Sequence, residues 1–260
     1  MVSCILLDIE GTTCPVSFVA AVLFPYARDH LSSFLEQHNN DPAVQALIKT
    51  VQTVFSADSN PEVELLRQSQ AGLNQIPPSS PGASATTTPS QLDVVPYLHW
   101  LIDHDIKLTA LKDLQGLIWM EGYACGDLVA PLFNEVAEAL LDWRQKGYQL
   151  AVYSSGSVAA QQLLYRHSQD GNLEGLFSHW FDTRRGPKQS PGSYSAIASI
   201  LQLDPEQILF VSDAVAELVA ASEAGMAVFF SDREGNPERD PGGFTSISSL
   251  AEIQLEPPNS

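Results

Sequence analysis

Cationic side chains are scarce in this 260-residue sequence: 13 lysines and arginines stand against 31 aspartates and glutamates, for a net charge of −18. Such a chain repels nucleic-acid phosphates and anionic membrane surfaces, so neither is an expected partner. If its substrate is itself an anion, a local cation must hold it, either a metal ion or a well-placed lysine. Cysteine is scarcer still. Cys4, Cys14 and Cys125 form no C-x-x-C pair, which argues against a disulfide framework or a zinc site and for a reducing compartment. The six histidines contain no H-E-x-x-H pattern. No uninterrupted run of about 18 apolar residues occurs, and the start lacks a basic segment leading into a long apolar one. A cytoplasmic protein is expected. With 44% hydrophobic and 17% charged residues the chain suits a folded globular class rather than a disordered one. Its length allows one full core and a smaller second domain.

What is present centres on the first eighteen residues. Val2–Leu7 is a short apolar run, too short for a stable helix, and reads as a buried strand. Asp8 and Glu10 follow at its carboxyl end, then Gly11, Thr12 and Thr13. Open α/β sheets bind ligands just past the carboxyl ends of their strands. Apolar spacing then turns helical over Phe18–Leu35, with a kink or break expected at Pro25. Asp41-Pro42 opens a further helix carrying Val44, Leu47, Ile48, Val51 and Phe55. Residues 68–90, polar and interrupted by Pro77, Pro78, Pro81 and Pro89, read as a surface insertion with no catalytic role. Helical patterning resumes from Val95 to Trp119 and is expected to break at Glu121–Gly126.

From Val136 the pattern alternates. A helix over 136–146 precedes a strand at Gln149–Tyr153. Ser154-Ser155-Gly156-Ser157 then opens a helix over Val158–Tyr165. Trp180-Phe181-Asp182 leads to a turn reaching Lys188, and a helix over Tyr194–Leu201 leads to the strand Ile208–Val211. Asp213, a helix over Ala214–Ala224 and a strand over Ala227–Phe230 follow. This alternation implies an α/β fold with a doubly wound parallel sheet. The core is expected from residues 1–14 and 131–260, and a helical insertion over 15–130 is a candidate lid over Asp8.

The strand ends carry chemistry suited to phosphate. Asp8 can act as a nucleophile through an aspartyl-phosphate. Glu10, expected on the same side two residues on, can protonate a leaving oxygen. Ser154 and Ser155, at a helix start, suit a phosphate. Lys188 supplies positive charge, and Asp213 with Asp8 makes a hard-oxygen site suited to Mg2+. Singly, each has a plainer reading: loop acids, helix N-caps, a solvated lysine. Their combination in order is far more specific.

The order Asp8-Ile9-Glu10, Ser154, Lys188 and Asp213 with Glu217 resembles the haloacid dehalogenase-like hydrolases, implying a Rossmann-type core with an inserted helical cap. The segments Asp8–Thr13, Phe18–Ala27, Leu114–Trp119, Tyr153–Ser157, Phe181–Thr183, Gly186–Lys188 and Ser212–Leu218 are similar to the enolase-phosphatases of methionine salvage. That resemblance implies enolisation of 2,3-diketo-5-methylthiopentyl 1-phosphate, then dephosphorylation to the acireductone 1,2-dihydroxy-3-keto-5-methylthiopentene. It further implies one Mg2+ per subunit held by Asp8, Asp213 and Glu10, the last through its main-chain carbonyl. Phosphate would be held by Ser154, Ser155 and Lys188, with Asp8, Glu10 and Lys188 catalytic and Glu217 orienting Lys188 or metal-bound water. Two segments depart from that family: its Gly-Glu-Leu-Lys reads Gly126-Asp127-Leu128-Val129 here, and its Arg-Pro-Gly-Asn reads Arg233-Glu234-Gly235-Asn236. A phosphatase of another small phosphate ester fits the same residues. A receiver-like signalling domain fits less well, because it needs no long helical insertion after its first strand. With no coiled-coil heptads, a monomer is expected.

Overall fold

The computed structural model describes residues 1–73 and 93–258. These form two compact units, one built from Met1–Leu23 and Trp119–Ser260, the other from Phe24–Ile118. The second unit is thus narrower than the 15–130 insertion read from the sequence: Val16–Leu23 and Trp119–Cys125 cluster with the sheet.

The chain opens with strand β1 (Cys4–Leu7), every residue of which is buried. The short helix α1 (Val16–Phe18) runs into a π turn (Val19–Leu23), after which α2 (Phe24–Gln37) begins. The expected break is therefore present. Pro25 offers no N–H to the preceding turn and is tolerated only within the first turn of a new helix. Helix α3 (Pro42–Ala57) starts as its sequence dictates, with the Asp41 carboxylate accepting the Ala43 N–H at 2.7 Å.

Helix α4 (Pro61–Leu73) corrects one expectation: residues 68–73 are helical, not loop. Straight-chain Gln68 and Arg67 are good helix formers, and both bond back to Glu64 one turn earlier. The remainder of the expected insertion, 74–90, lies outside the described residues. Helix α5 (Val95–Asp103) completes an aromatic stack in this unit. Phe55 and Tyr97 have ring centroids 4.5 Å apart, Trp100 follows Tyr97, and the Tyr97 hydroxyl donates to Asp58.

Helix α6 (Thr109–Cys125) continues through Glu121, where a break was expected. The helix ends instead at Gly126, whose φ of +87° reverses the chain, while the Leu128 N–H returns to the Gly122 carbonyl. Such a left-handed residue closes a helix at little steric cost only when it is glycine.

Beyond it come α7 (Val136–Gln145), β2 (Gln149–Tyr153), α8 (Val158–Arg166), β3 (His179–Phe181), α9 (Pro191–Leu201), β4 (Ile208–Ser212), α10 (Val215–Glu223), β5 (Ala227–Ser231) and β6 (Ser246–Ile247). The strands form one parallel sheet in the order β3-β2-β1-β4-β5-β6. Strand β6 has two residues, too few for any sequence pattern to mark. Central β1 pairs with β2 on one side and β4 on the other, Leu7 standing level with both Val152 and Val211. The order reverses there, and at that switch point the connections leave in opposite directions and open a crevice. Near-continuous apolar runs in β1, β2 and β4 reflect strands covered on both faces. One face packs Tyr153, Tyr194, Phe210, Leu218 and Phe230, all fully buried, with Tyr194 set edge-on to Tyr153 at 5.5 Å. Each such side chain contributes roughly 1.5–3 kcal/mol by leaving water.

Candidate active site

The crevice at the carboxyl ends of β1, β2 and β4 gathers most of the titratable residues singled out in the sequence. Asp8 directly follows β1, and its N–H continues the ladder to Val211 at 3.0 Å. Its side chain is buried, with Oδ1 accepting both the Ile9 N–H at 2.8 Å and the Lys188 ammonium at 2.8 Å. Lys188 is equally buried and also lies 2.6 Å from Glu217 Oε2. Ser212, the last residue of β4, has its hydroxyl 2.9 Å from Glu217 and 3.4 Å from Asp8 Oδ2. It carries one proton and serves one carboxylate at a time.

Lys188 has no strand of its own, so its turn is fixed by hydroxyls. Tyr194 donates to the Lys188 carbonyl at 2.7 Å, Ser193 to that of Pro187 at 2.8 Å, and Tyr153 to that of Gly186 at 2.9 Å. The ammonium also stands 5.7 Å from the centre of the Tyr153 ring. Burial alone would drain this lysine of its charge, but Asp8 and Glu217 outweigh burial and hold its pKa above the ordinary value. The reverse holds for the acids. Burial, then Asp8 and Glu217, push the Asp213 carboxyl up to about 7 against the pull of Lys188. Glu217 is raised by burial and by Asp8. Asp8, Asp213 and Glu217 thus share a crevice with one ammonium, a surplus of hard anionic oxygen that suits a divalent cation such as Mg2+.

Two local expectations need correction. Strand alternation does not extend to Glu10. Its neighbours Thr12, Thr13 and Cys14 all donate N–H bonds to the Ile9 carbonyl, so Glu10 sits in a tight turn rather than on a strand. Ser154 and Ser155 do not open α8 either. Ser157 is its N-cap, accepting the Ala160 N–H, because it sits immediately before the first helical residue. Ser154 is buried at the end of β2 and accepts the Gly156 N–H within its own loop, while Ser155 is exposed. Asp213 makes no N-cap bond to α10, whose N-cap is Ala214.

Among the described residues no group of three or more His, Cys, Asp and Glu side chains is placed to hold a metal. The expected set needs only two side chains, Asp8 and Asp213, since Glu10 would contribute a main-chain oxygen. The turn fits close approach: a Cβ on Gly11, whose φ is +69°, would fall 2.1 Å from Asp213 Oδ2. Only glycine lets that carboxylate lie against the backbone.

Some supporting residues gave no sequence signal. Gln161 on α8 donates to the carbonyls of Gly156 and Phe181 at 2.8 and 2.9 Å, tying the serine loop to the end of β3. A glutamine within a helical stripe looks like any surface glutamine. Ser212 was visible in principle, since a polar residue ending an apolar strand and touching Asp213 in sequence stands out.

A model of the haloacid dehalogenase-like hydrolase family matches residues 2–225. The chain is 48% identical over 255 residues to the enolase-phosphatase E1 of Synechococcus sp. (strain WH7803), covering 98% of this chain and 100% of that protein. It is 47% identical over 251 residues to that of Prochlorococcus marinus (strain MIT 9313), with 96% and 97% covered. Among solved structures, the UTR4 protein of Saccharomyces cerevisiae superposes with a TM-score of 0.70 at 29% identity, covering 95% of this chain and 98% of that one. CbbY of Rhodobacter sphaeroides shares the fold, with a TM-score of 0.54 at 16% identity, covering 97% of this chain and 96% of that one. The chain belongs to the haloacid dehalogenase-like hydrolases and, within them, to the enolase-phosphatase E1 family.

Proposed function

We propose that Asp8 is the nucleophile with which this enolase-phosphatase dephosphorylates its small phosphate ester, and that Lys188, Ser154 and Ser155 bind the phosphate. The observation that carries this reading is the buried Lys188 ammonium, held at 2.8 Å from Asp8 at the switch point of the sheet. A carboxylate approaching a phosphate dianion meets strong repulsion, and a fixed cation beside both offsets it. An Asp8 oxygen attacks phosphorus, the ester P–O bond breaks, and Glu10 gives a proton to the departing oxygen. Water then cleaves the aspartyl-phosphate, releasing inorganic phosphate and restoring Asp8. Glu217, 2.6 Å from the ammonium, holds Lys188 in place and charged.

Asp8, Asp213 and the Glu10 carbonyl would hold one Mg2+, which would supply positive charge to offset that of the phosphoryl oxygens. The substrate is 2,3-diketo-5-methylthiopentyl 1-phosphate and the product the acireductone of methionine salvage. Enolisation precedes phosphate loss: a proton leaves the carbon bearing the ester as the neighbouring ketone oxygen gains one, with Glu10 as the shuttle. The catalytic core is the unit of Met1–Leu23 and Trp119–Ser260, and Phe24–Ile118 is the inserted helical unit. The protein acts as a cytoplasmic monomer, its net charge of −18 disfavouring nucleic acid and anionic membranes. Among the described residues no helix is long and apolar enough to cross a membrane.

A spectral assay with the diketo phosphate tests this directly, following diketone, enol and inorganic phosphate together. Enol should form first and phosphate second, both stopping on chelation with EDTA and returning with Mg2+. Metal-independent turnover would remove the Asp8–Asp213 site. Phosphate release from other esters, with no enol from this one, would leave a phosphatase of different substrate.

A further inference from the structure

The segment Arg233–Asn236 follows β5 and takes no part in the chemistry above, yet it is deeply buried at Arg233 and Asn236. Its side chains close on the turn after the nucleophile. The Asn236 amide nitrogen donates to the Gly11 carbonyl at 2.9 Å and to the Ser231 carbonyl at 3.0 Å. Ser231, at the end of β5, donates its hydroxyl to the same Gly11 carbonyl at 2.9 Å. Both lone pairs of that oxygen and both amide hydrogens are thereby used. Arg233 donates to the Thr12 carbonyl at 3.2 Å while pairing with Glu135 and stacking 4.4 Å from the centre of the Phe133 ring.

The same amide has a second face. Asn236 Oδ1 would lie 2.8 Å from a Cβ on Gly11, beside the 2.1 Å approach of Asp213 Oδ2. Asn236 and Asp213 therefore share the bare side of Gly11. Inside the turn, the Ile9 carbonyl accepts three N–H groups and the Gly11 N–H donates to the Cys14 carbonyl, so the turn is closed on itself. Its carbonyls at Gly11 and Thr12 are bonded from outside by Asn236, Ser231 and Arg233. Rotating the turn about its ends would break these bonds inside a buried environment, where water cannot replace the lost partners.

We propose that Asn236, supported by Ser231 and Arg233, is a positioning residue for the cation site, fixing the Glu10–Thr13 turn against Asp213. This rests on the reading that Asp8, Glu10 and Asp213 hold Mg2+. Groups that orient metal ligands typically cost about 10–100-fold in metal affinity when removed.

Calorimetric titration of the substrate-free protein with Mg2+ alone tests the proposal, alongside thermal unfolding without metal. Asn236→Ala should weaken Mg2+ binding about tenfold, the low end of the usual range, and Ser231→Ala, which leaves the amide in place, about threefold. A merely structural amide would lower the unfolding temperature and leave Mg2+ affinity unchanged, and that result overturns the proposal. If Asn236→Ala does not fold, Ser231→Ala decides alone on the same criterion. Asp213→Ala separates this from the underlying reading. Parent-like Mg2+ binding in Asp213→Ala refutes the cation site itself. Lost binding there with parent affinity in Asn236→Ala refutes only the positioning role.

Discussion

Lys188 Nζ stands 2.8 Å from Asp8 Oδ1, with both side chains buried, although strands β2 and β3 and their helices lie between them in the sequence. The pair places positive charge beside the carboxylate assigned as nucleophile, in a chain that is otherwise strongly acidic. Its position follows from parallel β1 and β4 and from a turn fixed by Tyr153, Ser193 and Tyr194.

Removing the ammonium should therefore cost twice. Lys188→Met leaves Asp8, Asp213 and Glu217 without their shared cation, and breaking a buried pair from one side costs about 3–5 kcal/mol. Phosphate release should fall by roughly 10²–10³-fold or more, as for loss of a preorganised transition-state donor. Chemical denaturation and a phosphate-release assay read the two effects. A variant with parent stability and parent turnover would show that the lysine is a bystander.

Gly11 offers a sharper steric test. Its φ is +69°, and a Cβ added there would fall 2.1 Å from Asp213 Oδ2, which leaves no room for a methyl group. Gly11→Ala should lose about 1–2 kcal/mol to backbone strain alone. It should also displace Asp213 and lower Mg2+ affinity. Unfolding by denaturant and Mg2+ titration check both; an alanine variant that binds Mg2+ like the parent would place the cation elsewhere.

The Arg233–Glu135 pair predicts a pH dependence of stability. Burial works to raise the Glu135 carboxyl, but the Arg233 guanidinium and backbone N–H groups, including that of Leu250, outweigh burial and hold its pKa below the ordinary value. A depressed folded-state pKa gives stability that is fully present above the ordinary glutamate value and is lost as pH falls through the lower folded value. Glu135→Gln should therefore unfold at a lower temperature than the parent near neutrality, with the gap closing in acid. A gap that stays constant with pH would mean the pair adds packing rather than charge.

The parallel sheet was legible because β1, β2 and β4 are largely apolar runs that lead into Asp8, Ser154 and Ser212-Asp213, so strand ends and chemistry coincide in the sequence. Lys188 was legible only through the order of motifs, since its turn is shaped by hydroxyls that include that of Tyr153 on β2, 33 residues before Gly186. Strand alternation stops at Leu7 and does not reach Glu10, because the Ile9 carbonyl collects three N–H bonds from Thr12, Thr13 and Cys14, a turn that no local pattern announces. Asn236 was visible as part of a segment that departs from its family, but its contact with Gly11 spans the sheet from β5 to β1. No local pattern encodes a hydrogen bond between residues so far apart in sequence. Helix α6 ran past its expected end because Gly122 is tolerated inside a helix, whereas Gly126 takes the left-handed conformation that ends one.

The most direct measurement is phosphate release from the diketo phosphate by Asp8→Asn at saturating Mg2+, with circular dichroism to show that the fold is retained. The isosteric amide keeps the size of the side chain and loses its nucleophilic charge. The account predicts a folded protein with phosphate release abolished. Substantial phosphate release by the folded Asp8→Asn protein would contradict it and remove Asp8 as the nucleophile.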